Sequence, residues 1–330
     1  MNTHTKNKKN RGRRNIQLKH RILVVSSANV DFVQRVSDMP ERGATVTELE
    51  NSYAYVPGGK GANAALTFAK LGSDSVFCTK IGNDSNGNRL KQLYSAEGID
   101  TRFIATDKRE PTGLASILVE DDGANRIIVY PGANKKLTSS DVESAFTCYP
   151  DALFLQFEIP DKAIFAASAF AAAQNIPVFV DAAPARADFP LSSLGEVEIF
   201  SLNETETEIF TGINPSTAEN CLRAVIRFST MMKAKYIILK LGARGSYLYD
   251  GSYYKAIPAY KVDAVDTTAA GDIYTAALTY EYMQTKDIDS AINFATAAAA
   301  LSVMKAGAST SVPDKAKILQ FIEENGTVVK

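Results

Sequence analysis

Two patterns of hydrophobic and polar residues alternate along this chain. Short continuous apolar stretches, of which RILVVSS at 21–27 comes first, are typical of buried strands, whereas ANAALTFAKLG at 62–72 has helical periodicity and ends on Gly72. The strand pattern recurs at 75–82, 151–158, 176–183, 197–203 and 236–242. The helical pattern recurs at 86–98, 161–174, 272–284 and 288–305. This alternation predicts an α/β fold with a mostly parallel sheet covered by helices on both faces.

Two segments interrupt the alternation. ATVTELENSYAYV at 44–56 and LASILVEDDGANRIIVYPG at 114–132 have a strand pattern without an intervening helix. The second segment predicts a hairpin that turns at Asp121-Asp122-Gly123, and another hairpin is predicted around Asp250-Gly251. We expect a small separate β-sheet, formed by about 42–57 and 112–132, that covers one edge of the main domain as a lid.

Charge is distributed unevenly. The 330 residues are 45% hydrophobic and 22% charged, which is typical of a globular protein with one large or two modest domains. The net charge is −1, but residues 1–21 hold no acid and eight basic residues, whose removal leaves −9 for the rest. We expect residues 1–20 to be a disordered basic tail. A solubilising or start-site extension is favoured over a nucleic-acid-binding arm, and the acidic remainder argues against a nucleic-acid surface.

The sequence predicts a cytoplasmic protein. The apolar run ILVV after the basic segment is shorter than a signal core, and no stretch approaches the roughly 20 apolar residues of a membrane span. The cysteines Cys78, Cys148 and Cys221 are odd in number and far apart, so they suggest neither a metal site nor a disulfide framework.

Histidine is almost missing. His4 and His20 both fall in the predicted tail, which leaves the folded body without any. Catalysis by Ser-His-Asp or Cys-His, and histidine-ligated metals, are therefore excluded there. A general base has to be Asp, Glu, Lys, Tyr or Cys.

The segment VDTTAAGD at 265–272 precedes a predicted helix. The small residues Ala269, Ala270 and Gly271 permit close backbone approach, and the first N–H groups of a helix bind anions. Asp272 follows in the first turn, where it could act as the base for a hydroxyl that attacks a bound phosphate. The alternative is that Asp272 only stabilises the helix N-terminus.

Two further segments suggest a site for a polyol. In PGGKGANAA at 57–65, glycines would let the side chains of Lys60 and Asn63 approach a small polar ligand, unless the segment is simply a turn before a helix. In SSANVD, Asn29 and Asp31 follow the first predicted strand and can bind hydroxyl groups, or form an Asx turn.

Other candidates also end predicted strands. Glu158 ends LQFE, where it is either a ligand or merely exposed before Pro160. In NETE at 203–206, Asn203 and Glu206 form a helix-capping pattern that is compatible with a role toward nucleotide phosphate and metal-bound water. LGARG at 241–245 could cradle a nucleotide, although such glycine turns are common.

Taken together, these motifs resemble the ribokinase branch of the phosphofructokinase-B carbohydrate kinase family from about residue 21 to about 324. The matches, in order, are Asn29-Val-Asp31, GGKGAN at 58–63, Glu158, APAR at 183–186, NETE at 203–206, LGARG at 241–245, DTTAAGD at 266–272 and GASTSVP at 307–313. The resemblance implies a Rossmann-like α/β domain with a β-sheet lid that often forms a dimer contact. It also implies ATP-dependent phosphorylation of a sugar's primary hydroxyl, the 5-hydroxyl if the sugar is ribose.

The resemblance also assigns roles to residues. It makes Asp272 the catalytic base and the N–H groups of Ala269, Ala270, Gly271 and Asp272 the anion hole. The implied sugar ligands are Asn29, Asp31, Gly59, Lys60, Asn63, Glu158 and Asp272. The implied nucleotide side comprises Asn203, Lys240, Gly242, Gly245, Gly271 and Thr296, with Glu206 in the network of magnesium and water. A monovalent cation, usually potassium, is implied at Asp266, Thr268, Ser302, Lys305, Gly307 and Ser311.

The sequence departs from the family's pattern at three places. Lys240 replaces the usual threonine, where it either meets phosphate or points to solvent, Asp181 replaces asparagine, and Ile273-Tyr274 replaces Thr-Phe. The main hypothesis is a kinase for D-ribose. The alternatives are a kinase for another sugar such as deoxyribose or for a nucleoside, a non-catalytic sugar-binding protein, and a dehydrogenase, which the missing GxGxxG after the first strand disfavours.

Overall fold

The computed structural model describes residues 19–47, 52–120 and 125–329. The strands are β1 (Arg21–Val25), β2 (Asn29–Val36), β3 (Tyr53–Gly58), β4 (Asp74–Gly82), β5 (Ile104–Asp107), β6 (Gly113–Glu120), β7 (Asn125–Tyr130), β8 (Ala152–Gln156), β9 (Val178–Asp181), β10 (Glu196–Asn203), β11 (Lys233–Lys240), β12 (Ser246–Tyr249) and β13 (Tyr254–Ile257). The helices are α1 (Lys60–Leu71), α2 (Ser85–Ala96), α3 (Ser139–Ala145), α4 (Asp161–Ala173), α5 (Glu204–Thr211), α6 (Ala218–Met231), α7 (Ala270–Thr285), α8 (Ile288–Val303) and α9 (Lys315–Asn325).

The main sheet has nine strands in the order β13-β12-β11-β10-β9-β8-β1-β4-β5. Pairing is parallel from β11 through to β5, and only β12 and β13 run antiparallel, as a hairpin at one edge. The predicted Rossmann-like, mostly parallel sheet is therefore confirmed, and so is the hairpin around Asp250-Gly251.

Helices cover both faces of this sheet. Side chains alternate along each strand, so Ile22 and Val24 of β1 pack into one apolar core while Leu23 and Val25 pack into the other. The first core contains residues of α1, α2, α7, α8 and α9, and the second contains residues of α3, α4, α5 and α6. Since both faces are covered, the exposed carboxyl edge of the strands is where a ligand can approach.

The second sheet has four strands in the order β3-β2-β6-β7. It was predicted from about 42–57 and 112–132, and β3, β6 and β7 lie in those ranges. The boundaries need one correction, because the sheet also contains β2, whose residues Asn29 and Asp31 were interpreted as a loop after the first strand. Among the described residues of 42–47 no strand forms. The predicted turn at Asp121-Asp122-Gly123 lies outside the described residues, although β6 and β7 pair antiparallel as expected.

Residues 1–18 of the predicted basic tail also lie outside the described residues. Its last two residues, Lys19 and His20, are described, and the His20 carbonyl accepts a hydrogen bond of 3.0 Å from the Asp74 amide. Assigning His20 to a disordered segment is therefore wrong. The His20 ring lies 3.9 Å from Asp151, at the amino edge of the sheet and so away from the carboxyl ends of the strands. Within the described ranges, no helix combines the length and the apolar character needed to cross a membrane.

Candidate active site

A cleft of about 530 Å³ opens at the carboxyl edge of the main sheet. It is lined by many of the residues that the sequence singled out, namely Lys60, Asn203, Glu206, Lys240, Gly242, Gly245, Ala269, Ala270, Gly271, Asp272 and Thr296. Segments that are far apart in the sequence, from α1 to α8, therefore meet at one concave surface, which is the usual location of a ligand site.

The start of α7 forms part of the cleft. Ala269 adopts the left-handed conformation (φ 60°, ψ 4°), which is uncommon for a residue with a side chain. The Ala270 amide donates a 3.2 Å hydrogen bond to the Thr267 carbonyl, so it is already used within the loop. The next amides, of Gly271 and Asp272, lie in the first turn, where helix N–H groups lack carbonyl partners one turn earlier.

Asp272 contacts three side chains from two other elements. Its Oδ2 accepts a 2.9 Å hydrogen bond from Asn63 Nδ2, and its Oδ1 accepts a 3.3 Å bond from Gln156 Nε2. Lys60 Nζ lies 3.9 Å from Oδ1. Burial raises the pKa of Asp272, while Lys60 and the Asn63 hydrogen bond oppose that shift. The carboxylate is thus held in place by neutral donors beside one cation.

Asn29 and Asp31 lie in the second sheet, close to the start of α1. The backbone approaches closely here: a Cβ on Gly58 would lie 2.1 Å from the Asp31 carboxylate, and Gly59 has φ 89° and would place a Cβ 2.7 Å from the Asn29 amide. Burial, and then Glu158 and Asp272, raise the pKa of Asp31 to about 7. The glycines of PGGKGANAA therefore bring the second sheet against the site.

Glu158 follows β8 and joins the same group. Its Oε2 accepts a 3.2 Å hydrogen bond from the Lys60 amide and another from the Ser27 hydroxyl. The Lys60 ammonium is close to both acids, and Asp272, followed by Glu158, raises its pKa against the effect of burial. Of the predicted sugar ligands, Asn63, Lys60, Glu158 and Asp272 are brought together by direct contacts.

Asn203 and Glu206 form a complete capping box at the start of α5. Asn203 Oδ1 accepts a 2.8 Å bond from the Glu206 amide, and Glu206 Oε2 accepts a 2.7 Å bond from the Asn203 amide. Capping is therefore a real role of both residues, as the pattern indicated. Glu206 nevertheless lines the cleft with 7% of its surface exposed, and burial raises its pKa while Lys240 opposes the rise.

Lys240 points into the protein. Its Nζ donates hydrogen bonds to Asp181 Oδ1 (2.8 Å) and Thr275 Oγ1 (3.1 Å), so the alternative in which Lys240 points to solvent is wrong. The two departures Asp181 and Lys240, 59 positions apart in sequence, form one ion pair.

The predicted cation residues lie on two adjoining loops, one before α7 and one after α8, and at the end of α8. Asp266 joins the loops, because its Oδ1 accepts from the Thr268 amide and its Oδ2 from the Gly307 amide, both at 2.9 Å. The Lys305 ammonium donates a 2.8 Å hydrogen bond to the Thr310 carbonyl. These two loops and the end of α8 carry all the predicted ligands, Asp266, Thr268, Ser302, Lys305, Gly307 and Ser311. Carboxylate, hydroxyl and carbonyl oxygens suit a hard cation such as potassium.

Divalent ions need a separate consideration. Within the described ranges, no group of three or more His, Cys, Asp or Glu side chains is arranged to hold a metal. In phosphoryl transfer, magnesium is usually shared between substrate phosphates, water and one or two carboxylates. Glu206 is a carboxylate of the cleft that fits this arrangement.

Gln156 and Asn134 are among the residues of the site that the sequence interpretation missed. Gln156 ends β8, is fully buried, accepts a 3.2 Å bond from Ser26 and donates to Asp272. Asn134 follows the second sheet, and its Nδ2 donates a 2.8 Å bond to Asn29 Oδ1. Gln156 could have been identified from the sequence, because a polar side chain within a continuous apolar strand needs a buried hydrogen-bond partner.

Comparisons with known proteins show which sequences and structures this chain is similar to. The model of the pfkB family carbohydrate kinases matches residues 19–315. A ribokinase of Haemophilus influenzae is 35% identical over 306 residues, which cover 92% of this chain and 98% of that protein. A deoxyribokinase of Salmonella typhi is 30% identical over 306 residues, which cover 92% of this chain and 99% of that protein. The structure of Arabidopsis thaliana ribokinase complexed with ribose and ATP superposes with a TM-score of 0.83 at 30% identity, over 93% of this chain and 99% of that one.

Proposed function

Because the chain belongs to the pfkB family of carbohydrate kinases and is a sugar kinase that uses ATP, we propose that its acceptor is the 5-hydroxyl of D-ribose and its products are ribose 5-phosphate and ADP. The observation that carries this proposal is the convergence of Asn63, Lys60 and Gln156 on the Asp272 carboxylate. A fixed carboxylate beside a helix N-terminus fits phosphoryl transfer, in which positioning and charge stabilisation dominate.

In the proposed reaction Asp272 is the general base. It accepts the proton of the sugar hydroxyl, the sugar oxygen forms a bond to the γ-phosphorus of ATP, and the bond from that phosphorus to the bridging oxygen breaks to release ADP. The amides of Gly271 and Asp272 donate to the oxygens of the transferred phosphoryl group, as helix N-termini do toward anions. We do not assign this role to Ala270, because its amide donates a hydrogen bond to the Thr267 carbonyl.

The proposed sugar subsite lies between the second sheet and α1. Hydroxyl groups of the sugar donate to the carboxylates of Asp31 and Glu158 and contact Asn29, Asn63 and Lys60. A polyol satisfies such buried acceptors better than a nucleobase does, because each hydroxyl both donates and accepts. The carboxylates of Asp31 and Glu158 would thereby gain hydrogen-bond donors when sugar binds.

The proposed nucleotide subsite is the remainder of the cleft. Its residues are Asn203, Glu206, Lys240, Gly242, Gly245 and Thr296. Magnesium bound with ATP would neutralise charge on the β- and γ-phosphates, with Glu206 contacting it through water. Potassium would lie between the loops that Asp266 joins and would fix the shape of the segment before α7.

Turnover of ATP against a panel of acceptors tests the proposal. The panel is D-ribose, 2-deoxyribose, fructose, fructose 6-phosphate, adenosine and uridine, each with magnesium and with or without potassium. Selective turnover of D-ribose supports the proposal. Preference for 2-deoxyribose favours the second candidate, which the similarity to a deoxyribokinase recommends. Turnover with none of them would contradict the acceptor class.

The second sheet also suggests a homodimer contact. Its strands β3 and β7 expose large apolar side chains, among them Tyr53 (63%), Ile127 (54%) and Ile128 (71%). Exposed apolar patches of this kind commonly mark protein interfaces. A second copy of the same sheet is the occupant we propose, because a two-fold contact would cover the patch on both chains.

A further inference from the structure

An ion pair inside the cleft joins two strands that are separated by one other. Asp181 ends β9, Lys240 ends β11, and β10 lies between them. Lys240 Nζ donates a 2.8 Å hydrogen bond to Asp181 Oδ1. The Asp181 side chain is fully buried and the Lys240 side chain is 12% exposed, so this pair is shielded from the solvent that weakens surface ion pairs.

The ammonium also contacts the first two turns of α7. Lys240 Nζ lies 3.1 Å from Thr275 Oγ1 and 3.5 Å from the Gly271 carbonyl oxygen. A Cβ built on Gly271 would lie 3.5 Å from Nζ. Lys240, Gly271 and Asp272 line the same cleft, so the ammonium is beside the helix turn that is proposed to receive the phosphoryl group.

Stability is a poor explanation for the pair. Asp181 Oδ2 is buried and has no hydrogen-bond partner among the described residues. A buried carboxylate with an unsatisfied oxygen is costly, and buried ion pairs are often no more stabilising than well-packed apolar side chains of similar size. Groups that are costly to the fold and line a cleft are candidates for function.

We infer that Lys240 binds a non-bridging oxygen of the transferred phosphoryl group, and that Asp181 is the positioning residue that directs the ammonium there. This inference rests on the proposed kinase reaction and adds Asp181 to it. Negative charge spreads over the equatorial oxygens during transfer, and a preorganised ammonium in a site with little water stabilises that charge. ADP lacks the γ-phosphate, so it lacks this contact.

The pair also acts electrostatically on the proposed base. Burial raises the pKa of Asp272, Asp181 raises it further, and Lys240 lowers it. The other groups that face Asp272 are Lys60 and Asn63 from α1, Gln156 from β8 and Asp31 from the second sheet. Because the two members act in opposite directions, their separate removal has opposite consequences for the pH dependence of turnover.

The test uses the full chain with K240M, D181N and the double variant D181N/K240M. Lys235 supplies the matched control K235M, because it lies on the same strand and is ion-paired at 2.7 Å with Glu198, away from the cleft. Affinities for ATP and ADP are measured by calorimetry without sugar, and kcat is measured from pH 5 to 9. Melting temperatures and circular dichroism check folding, and the double variant leaves no unpaired charge if a single variant fails to fold.

We expect K240M to weaken ATP binding about tenfold more than ADP binding and to lower kcat about 10²-fold, the scale of one lost transition-state donor. The acid limb of kcat moves to higher pH in K240M and to lower pH in D181N, while K235M matches the parent chain. In the double variant, the ratio of the ATP affinity to the ADP affinity changes by the same factor as in K240M.

Two results would overturn the inference. One is equal loss of ATP and ADP affinity in K240M and in the double variant, which means that the pair only supports the fold. The other is an acid limb that moves in the same direction, or not at all, in both single variants. If the parent chain phosphorylates none of the sugars, the proposed function fails instead, and the ratio of ATP to ADP affinity still decides whether Lys240 contacts the γ-phosphate.

Discussion

Asn63 donates a 2.9 Å hydrogen bond to Asp272, although 209 positions separate the two residues in the sequence. Asn63 lies in the first turn of α1, and Asp272 lies in the first turn of α7. The starts of these two helices, which the sequence places far apart, therefore meet at one carboxylate. A hydroxyl held by the first segment would lie next to the base and the anion site of the second.

Replacing Asp272 by asparagine should abolish proton transfer while leaving the fold intact. Turnover is expected to fall at least about 10²-fold, the lower range for loss of a general base, whereas calorimetry should still detect binding of sugar and ATP. Asp289→Asn is the matched control, because Asp289 is also an aspartate in the first turn of a helix, α8, and does not line the cleft. Near-normal turnover of Asp272→Asn would contradict the assignment of the base.

Most of the main sheet could be predicted from the sequence, because strands buried on both faces are read directly as apolar runs. The strand β2 could not, since it begins with the polar residues Asn29 and Asp31. They were interpreted as following the first strand, with an Asx turn as the alternative, whereas they pair with Gly58 and Val56 in the second sheet. Polar residues that depart from a strand pattern are expected where a chain forms a functional site.

The candidate site was predictable in its residues but not in their contacts. Motif spacing identified Asp272, Lys60 and Asn63 one at a time. Asp181 and Lys240 were noticed only as separate departures from the family's pattern. The hydrophobic pattern within one strand does not show that its last residue contacts the last residue of another strand two positions away in the sheet. Such pairs depend on strand order, which the sequence did not specify.

Asp31→Asn should weaken the binding of sugar and increase the free energy of unfolding. Its pKa of about 7, against an ordinary value of 3.8, means that the folded protein keeps this proton where the unfolded chain has lost it. The free energy of unfolding therefore falls as the pH rises from about 4 to about 7, and asparagine removes that loss. At pH 8 we expect a gain on the order of 1 kcal/mol in urea unfolding.

The same carboxylate should also set the pH dependence of sugar binding. In the proposed subsite ionised Asp31 accepts from a sugar hydroxyl, so D-ribose affinity should fall as the pH drops from 8 to 6, and calorimetry should find this dependence reduced in Asp31→Asn. Sugar affinity that is independent of pH in the parent chain would exclude Asp31 as an ionised ligand. The stability gain would then stand alone as a consequence of burial.

Potassium should raise turnover several-fold over an equal concentration of sodium, because one of the two loops joined by Asp266 leads directly into the proposed anion site. Asp266→Asn keeps one acceptor for the loop amides but removes the charge, so this variant should lose most of the potassium activation while its activity in sodium changes little. Asp263→Asn, three residues earlier in the same loop, is the control. Equal activation by both ions in the parent chain would argue against a selective cation site.

The proposed dimer contact can be broken by one charge. Ile128→Lys on β7 should convert a dimer to a monomer in light scattering, because an ammonium would be buried at the contact without a partner. Ile226→Lys is the control, since Ile226 is also an exposed isoleucine (47%) but lies on α6. A parent chain that is monomeric at high concentration would disprove the contact.

Gln156 offers a test of how the site tunes its base. Gln156→Glu keeps the size of the side chain and the bond from Ser26, but it places a second carboxylate against Asp272 in place of an amide donor that lies 3.3 Å away. Like charges in a buried site raise the apparent pKa of the pair. Because Asp272 must be ionised to accept the proton, the acid limb of kcat should move upward by on the order of one pH unit.

Gln156→Met separates the charge from the lost hydrogen bond. It removes the donor without adding an acid, so its acid limb should move in the same direction but by less, and both variants should regain activity as the pH rises. If Gln156→Glu lowered turnover equally at every pH, the amide would be needed for positioning alone. The tuning of Asp272 would then come from its burial and from Lys60, which acts on the carboxylate from 3.9 Å.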